Sequence, residues 1–100
     1  MARRERDYQA GLIKRIEKLI PHSYVRKIDV QQGWPDLLIL APEFWALLEV
    51  KKKPPAPSDY EPNQEWWIDH FDKMSFSACI YPENEKEVLN ALLQAFRARR

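Results

Sequence analysis

The chain has 100 residues and a mass of 12.0 kDa, which supports one modest hydrophobic core and hence one domain, residues 1–100. A hydrophobic fraction of 45% supplies that core, while two glycines and a single cysteine, Cys79, exclude a Gly-rich phosphate loop, an intramolecular disulfide and a multi-cysteine zinc site. The near balance of 16 basic and 15 acidic residues does not of itself point to nucleic-acid binding. With no apolar run near the ~20 residues of a bilayer span and a charged rather than apolar start, a soluble, cytoplasmic protein of a reducing compartment is expected.

In chain order, residues 10–20 predict a helix. Tyr8, Leu12, Ile16 and Leu19 recur at three- and four-residue spacing, Ile13 and Ile20 widen the stripe, and Pro21 ends it. Residues 23–30 predict a strand on a weak alternation, and 31–35 a turn punctuated by Gly33 and Pro35. The clearest sheet signal is a pair of apolar runs, 36–41 and 44–50. Each is apolar at odd and even positions, which predicts strands covered on both faces. Pro54, Pro55, Pro57 and Pro62 make 52–61 a stiff, exposed loop. Pro62 suits the first position of a helix over 64–74, with Trp66, Trp67, His70, Phe71 and Met74 on one side. A short strand over 76–81 precedes a final helix over 84–98 that turns Val88, Leu89, Leu92 and Phe96 inward. The order α-β-β-β-α-β-α, without internal repeats, predicts a mixed α/β fold with helices on the faces of a small sheet.

Two acids bracket the apolar runs. In an antiparallel hairpin centred on Pro42-Glu43, position 41 faces 44, and counting outward places Asp36 opposite Glu49. Directly opposed residues share a face with Cβ atoms roughly 4.5–5.5 Å apart, and two carboxylates so placed repel unless a cation lies between them. Lys51, two residues past Glu49, falls on the same face. A hard divalent ion is held by one or two carboxylates together with phosphate oxygens and water, so these parts suit metal-assisted phosphodiester hydrolysis. Because Pro42 cannot take the positive φ of a type I′ turn, a four-residue loop on the same centre is expected. An odd-length loop would send one acid to the other face. The bland reading is a turn acid and a surface Glu-x-Lys pair.

The stripe of the first helix continues back through Gln9 to Glu5. Either Glu5 faces a cation or wet cleft, or the helix frays before residue 8 and Glu5 is solvated or paired with Arg4 or Arg6. Gln64 reads equally as a hydrogen-bond partner of the lysine or of a phosphate and as a polar helix start. His70 and Trp66 read as core, Cys79 as a small buried hydrophobe, and Tyr60 as an ordinary loop residue. Basic residues gather at Arg3, Arg4 and Arg6, at Lys51, Lys52 and Lys53, and at Arg97, Arg99 and Arg100, whereas acids gather between 59 and 72. Such runs are solvated surface or one polyanion-facing side; the acidic stretch alternatively serves a protein–protein adaptor.

Gly33-Trp34-Pro35-Asp36 followed by Glu49-Val50-Lys51 resembles the PD-(D/E)XK nuclease signature. Within that superfamily the chain most resembles the small virus-type replication–repair nuclease (VRR-NUC) domain, related to Holliday-junction resolvases, and the resemblance covers nearly the whole chain in order. It implies a restriction-endonuclease-like αβββαβ core with an added C-terminal helix. It further implies a Mg²⁺-dependent DNA endonuclease, with Mn²⁺ as a substitute, acting on branched DNA. Asp36, Glu49 and the main-chain carbonyl of Val50 would bind the metal, Lys51 would act on the nucleophilic water, and Glu5 would be an outer or second-metal ligand. Gln9 and Gln64 are similar to that family's supporting positions. Arg3, Arg4, Arg6, Lys52 and Lys53 would hold phosphates. Cutting both strands of a junction with one site per chain implies a homodimer. A glycine often found before the last strand is replaced by Lys73-Met74-Ser75. The alternative is a non-catalytic nucleic-acid-binding or assembly module on the same scaffold.

Overall fold

In the computed structural model, which describes residues 4–99, the first helix α1 spans Glu5–Leu19. It begins earlier than the apolar stripe alone predicts. Glu5 and Asp7 sit in its first turn, where negative charge is favoured by the unpaired N–H groups and the helix dipole. Leu12 and Ile16 are fully buried. The strands are β1 (Tyr24–Lys27), β2 (Leu37–Ala41), β3 (Phe44–Val50) and β4 (Ser77–Ile80), and the other helices are α2 (Gln64–Met74) and α3 (Glu85–Ala98). Short 3₁₀ turns at Pro57–Asp59 and Pro82–Asn84 complete the mixed α/β order, a core of α-β-β-β-α-β followed by a C-terminal helix.

The sheet runs β1-β2-β3-β4, antiparallel across the first two pairs and parallel between β3 and β4. Leu37 and Ile39 of β2, Leu48 and Val50 of β3 and Ile80 of β4 point into one core with Leu12, Ile16, Leu92 and Phe96. The helices α1 and α3 therefore cover one face. Each fully buried Leu or Ile there contributes about 1.5–3 kcal/mol of transfer free energy. A polar clamp joins the two helices at the rim: the Tyr8 hydroxyl donates to Glu85 at 2.8 Å, and Arg15 donates to both Glu85 oxygens at 2.8 Å each. Burial and the Glu85 charge raise the Tyr8 pKa, so the phenol stays a donor.

On the opposite face α2 packs against β3 and β4. Trp67 and Phe71 stack at 5.2 Å and meet Trp34 at 5.3 and 4.9 Å. The β1–β2 half of this face has no helix over it. Leu40 is 49% exposed, so β2, unlike β3, is not covered on both sides as its composition predicts. Nor does the aromatic side of α2 lie wholly inward. Trp66 and Met74 are exposed, and exposed His70 stacks on Trp66 with ring centroids 4.8 Å apart. Five large side chains span more of the helix circumference than one sheet surface can cover. The helix begins at Gln64, not at Pro62, because Asn63 precedes it with φ 66°.

Both sheet edges are closed by the chain's own side chains. On β1, Glu17 accepts the Val25 N–H at 2.9 Å and Arg26 donates to the Val25 carbonyl at 2.9 Å. On β4, Asp72 accepts the Ser77 N–H at 3.0 Å and Asn84 donates to the Cys79 carbonyl at 3.1 Å.

Candidate active site

The β2–β3 hairpin pairs Ala41 with Phe44 and Leu37 with Leu48, so one further step sets Asp36 opposite Glu49 on the α2 face. The connection is a two-residue turn rather than a four-residue loop. Pro42 occupies the first central position, and Glu43 takes φ 59° at the second, the sign pattern of a type II turn. Its centre is the expected one, so the register holds. Asp36 follows the tight Gly33-Trp34-Pro35 turn. Gly33 has φ 90°, and a Cβ there would lie 2.8 Å from the Pro62 carbonyl oxygen. Its N–H donates to Glu61 at 3.1 Å, tying this turn to the chain leading into α2.

Asp36 is held from two directions. Its Oδ1 accepts the Val50 N–H at 3.0 Å and its Oδ2 accepts the Gln9 amide at 3.1 Å. Within a strand the N–H and C=O of one residue turn to the same neighbour, so the Val50 carbonyl also faces the Asp36 end of β2. Glu49 is 5% exposed, and its Oε2 lies 3.3 Å from Lys51 Nζ while its Oε1 is buried without a hydrogen-bond partner. The Lys51 ammonium also donates to the Asp59 carbonyl at 3.0 Å and lies 5.7 Å from the Tyr60 ring centroid. A lysine with three N–H donors thus keeps one beyond these two contacts.

The electrostatics report a shortage of positive charge. Burial raises the Asp36 pKa to about 6, helped by the charge of Glu5 and opposed by the Val50 N–H and Lys51. Burial and the neighbouring Asp36 charge raise Glu49 to about 7 against the pull of Lys51. A carboxylate pair so placed, with one oxygen orphaned, fits a hard divalent cation, which favours oxygen donors. Among the described residues no three His, Cys, Asp or Glu side chains gather closely enough to hold a metal by themselves. The donor set is therefore two acids with room for a main-chain or ligand oxygen.

Glu5, Asp36, Glu49, Lys51 and Gln64 line one cleft of about 240 Å³. Glu5 acts on both acids through its charge but is not gathered with them into a three-acid cluster. A neighbouring basin of about 210 Å³ is lined by Lys51, Lys52, Lys53 and Glu5.

Several expected roles change. Gln9 is 7% exposed and its amide is committed to Asp36, so it positions a carboxylate instead of meeting DNA. Gln64 is 3% exposed, and its oxygen accepts the Glu61 N–H at 3.2 Å. It closes the turn before α2, leaving little surface for a phosphate. Arg4 pairs with Asp7 at 3.2 Å and Arg6 is exposed; Arg3 and Arg100 lie outside the described residues. Arg99 donates to the Met74 carbonyl at 3.3 Å. Because α2 rises about 15 Å from Gln64 to Met74, that basic group stands away from the cleft.

Asp59 and Tyr60 are functional neighbours that spacing did not reveal, since an irregular proline loop has no period to read. Cys79 pairs in register with Glu49 and is only half-buried. Its thiol, pushed up by burial, shares a hydrogen bond with the Tyr60 hydroxyl. No helix among the described residues is long and apolar enough to cross a membrane. Comparison with family models, with curated proteins and with solved structures finds no match to this chain.

Proposed function

We propose that the chain is a metal-dependent DNA endonuclease of the PD-(D/E)XK type, resembling VRR-NUC domains and acting on branched DNA as a homodimer. One observation carries the reading: Asp36 and Glu49 face each other beside Lys51, with a buried Glu49 oxygen lacking any partner. Asp36 and Glu49 would hold Mg²⁺ or Mn²⁺ together with the Val50 carbonyl, Glu5 standing as an outer acid. Such an ion lowers the pKa of water toward neutrality and draws charge from a phosphate oxygen.

The chain's own residues do the rest. Gln9 and the Val50 N–H fix the Asp36 carboxylate. Glu49 and the Asp59 carbonyl aim the Lys51 ammonium, whose remaining donor can hydrogen-bond an attacking water or a non-bridging phosphate oxygen. Lys52 and Lys53 border the basin beside the cleft, where they, with Arg4 and Arg6, would attract backbone phosphates without reading sequence. The branched substrate and the pairing of two copies rest on the family resemblance.

The test is cleavage of a four-way junction and of nicked, flapped and linear duplexes in Mg²⁺, Mn²⁺ or chelator. Cutting is expected with either metal and not with chelator, and Asp36→Asn or Lys51→Met should abolish it without unfolding the protein. Cutting that survives both substitutions refutes the site. Salt-dependent binding without cutting supports the non-catalytic module instead, and no binding at low salt leaves the adaptor reading.

A further inference from the structure

The cleft that gathers Asp36, Glu49 and Lys51 has a second contributor whose amides are uncommitted. The loop joining β1 to β2 adds Asp29, Val30, Gln31, Gln32 and Trp34 to its lining. Backbone bonds hold that loop in place: the Ile28 N–H donates to the Asp36 carbonyl at 2.9 Å, and the Trp34 N–H to the Gln31 carbonyl at 3.2 Å. Its end is tied to the approach to α2 by the Gly33 bond to Glu61. Val30 is 64% exposed, and Gln31 and Gln32 are exposed with no side-chain hydrogen bond among the described residues. Of the three buried polar side-chain atoms that lack a partner among the described residues, two, Glu49 Oε1 and Trp34 Nε1, belong to residues lining this cleft. The carboxylate oxygen is satisfied by a cation. The indole N–H only donates, so it calls for an acceptor.

We infer that this loop is a nucleobase subsite, in which Gln31, Gln32 and the Trp34 indole N–H meet the edge of a base beside the scissile phosphate and Val30 packs against its sugar. The inference rests on the DNA reading of the cleft and adds to it a dependence on base identity. Charge decides between base and phosphate as the occupant. The loop contributes no cation to the cleft and one acid, Asp29, so a phosphate is repelled there and finds its partners at Lys51, Lys52 and Lys53 instead. A base is neutral, and its edge carries donors and acceptors that a glutamine amide matches. The planar amide meets adenine through two parallel contacts, so adenine is the base expected at this position. The anchored loop holds its amides near one place before DNA arrives, which lowers the ordering cost of each contact. Phosphate contacts set position and base contacts supply selectivity; this cleft has groups for both.

Fluorescence anisotropy of the full chain in Ca²⁺, with the tightest-bound of junction, nicked and flapped DNA, tests this. Each member of a series carries one abasic nucleotide, stepped along the strand through the branch or nick. One abasic position is expected to weaken wild-type binding by on the order of tenfold, and its neighbours much less. The double variant Gln31→Ala, Gln32→Ala should lose a similar factor on intact DNA and be indifferent to that abasic position. Its melting should match the wild type, since both side chains are exposed. Its salt dependence should match too, because no phosphate contact is removed, whereas Lys52→Ala, Lys53→Ala should flatten the slope. Trp34→Phe keeps a ring against Trp67 and Phe71 while deleting the N–H, and should lose a smaller factor at the same position. A flat abasic profile, a double variant that still senses the abasic position, or a double variant with a reduced salt slope would overturn the inference. A chain that binds in this way and never cuts refutes only the nuclease reading, and one that cuts with a flat abasic profile refutes only this subsite. Absence of binding refutes both.

Discussion

Gln9 donates its side-chain amide to Asp36 at 3.1 Å and so ties the first turns of α1 to the carboxylate that opens β2. The Val50 N–H holds the other oxygen of the same carboxylate. Gln9→Leu keeps the volume but leaves Asp36 Oδ2 without its donor. Urea unfolding should show a loss of about 1–3 kcal/mol, the range for a buried acceptor deprived of its partner. Titration calorimetry with Mn²⁺ should show weaker binding, because the carboxylate is no longer held. Unchanged metal affinity would remove Gln9 from the positioning role.

Glu43 is strained where it is. Its φ of 59° places a non-glycine residue in the left-handed region at a penalty of about 1–2 kcal/mol. Asparagine tolerates this conformation better because its short polar side chain bonds the local backbone. Glu43→Asn should therefore raise stability by about 0.5–1 kcal/mol in chemical denaturation, and leave cleavage and metal binding untouched, since the turn lies at the far end of the hairpin.

The facing of Asp36 and Glu49 is legible in the sequence because strand side chains alternate with period two, so a hairpin centre alone determines which residues oppose. That centre survives even though the turn is shorter than Pro42 suggests: a positive φ at Glu43 accommodates a proline that a type I′ turn would refuse. Lys51 follows from the same period. Its partners do not, since Asp59 and Tyr60 sit in an irregular loop whose path depends on the Glu61 bond to Gly33. The exposure of Trp66, His70 and Met74 is likewise hidden in the pattern. Periodicity shows which residues share a helix side, and only the width of the sheet beneath decides where cover ends. The Gln9 amide donates to Asp36 and the Gln64 oxygen accepts the Glu61 N–H, contacts between distant or irregular segments that residue type and spacing do not reveal.

Gly33 carries the turn that presents Asp36. An alanine there meets two obstacles: φ is 90°, and the new Cβ would approach the Pro62 carbonyl oxygen to 2.8 Å. That atom is backbone and cannot rotate away. Gly33→Ala should destabilise by about 1–3 kcal/mol from the backbone conformation alone. Yielding at Pro62 would also disturb the Glu61 contact and the start of α2, so metal affinity should fall more than for Gln9→Leu. Denaturation and Mn²⁺ titration on the same preparations give both comparisons.

The two raised carboxylates make stability in the absence of metal fall with rising pH. Asp36 near 6 and Glu49 near 7 lie above the ~3.9 and ~4.3 of unfolded chains, so the folded state binds these protons more tightly. Their stabilising effect is complete below the unfolded values and is lost as pH rises through the folded ones. Melting temperature in chelator should accordingly decline between about pH 4.5 and pH 7.5 through these groups. The combined variant Asp36→Asn, Glu49→Gln should lack this component, because neither amide titrates. Added Mg²⁺ should restore melting temperature most at pH 7.5, where both acids are ionised and free to bind it, and least at pH 5, where protons compete. A rise of equal size at both pH values would place the cation elsewhere on the molecule.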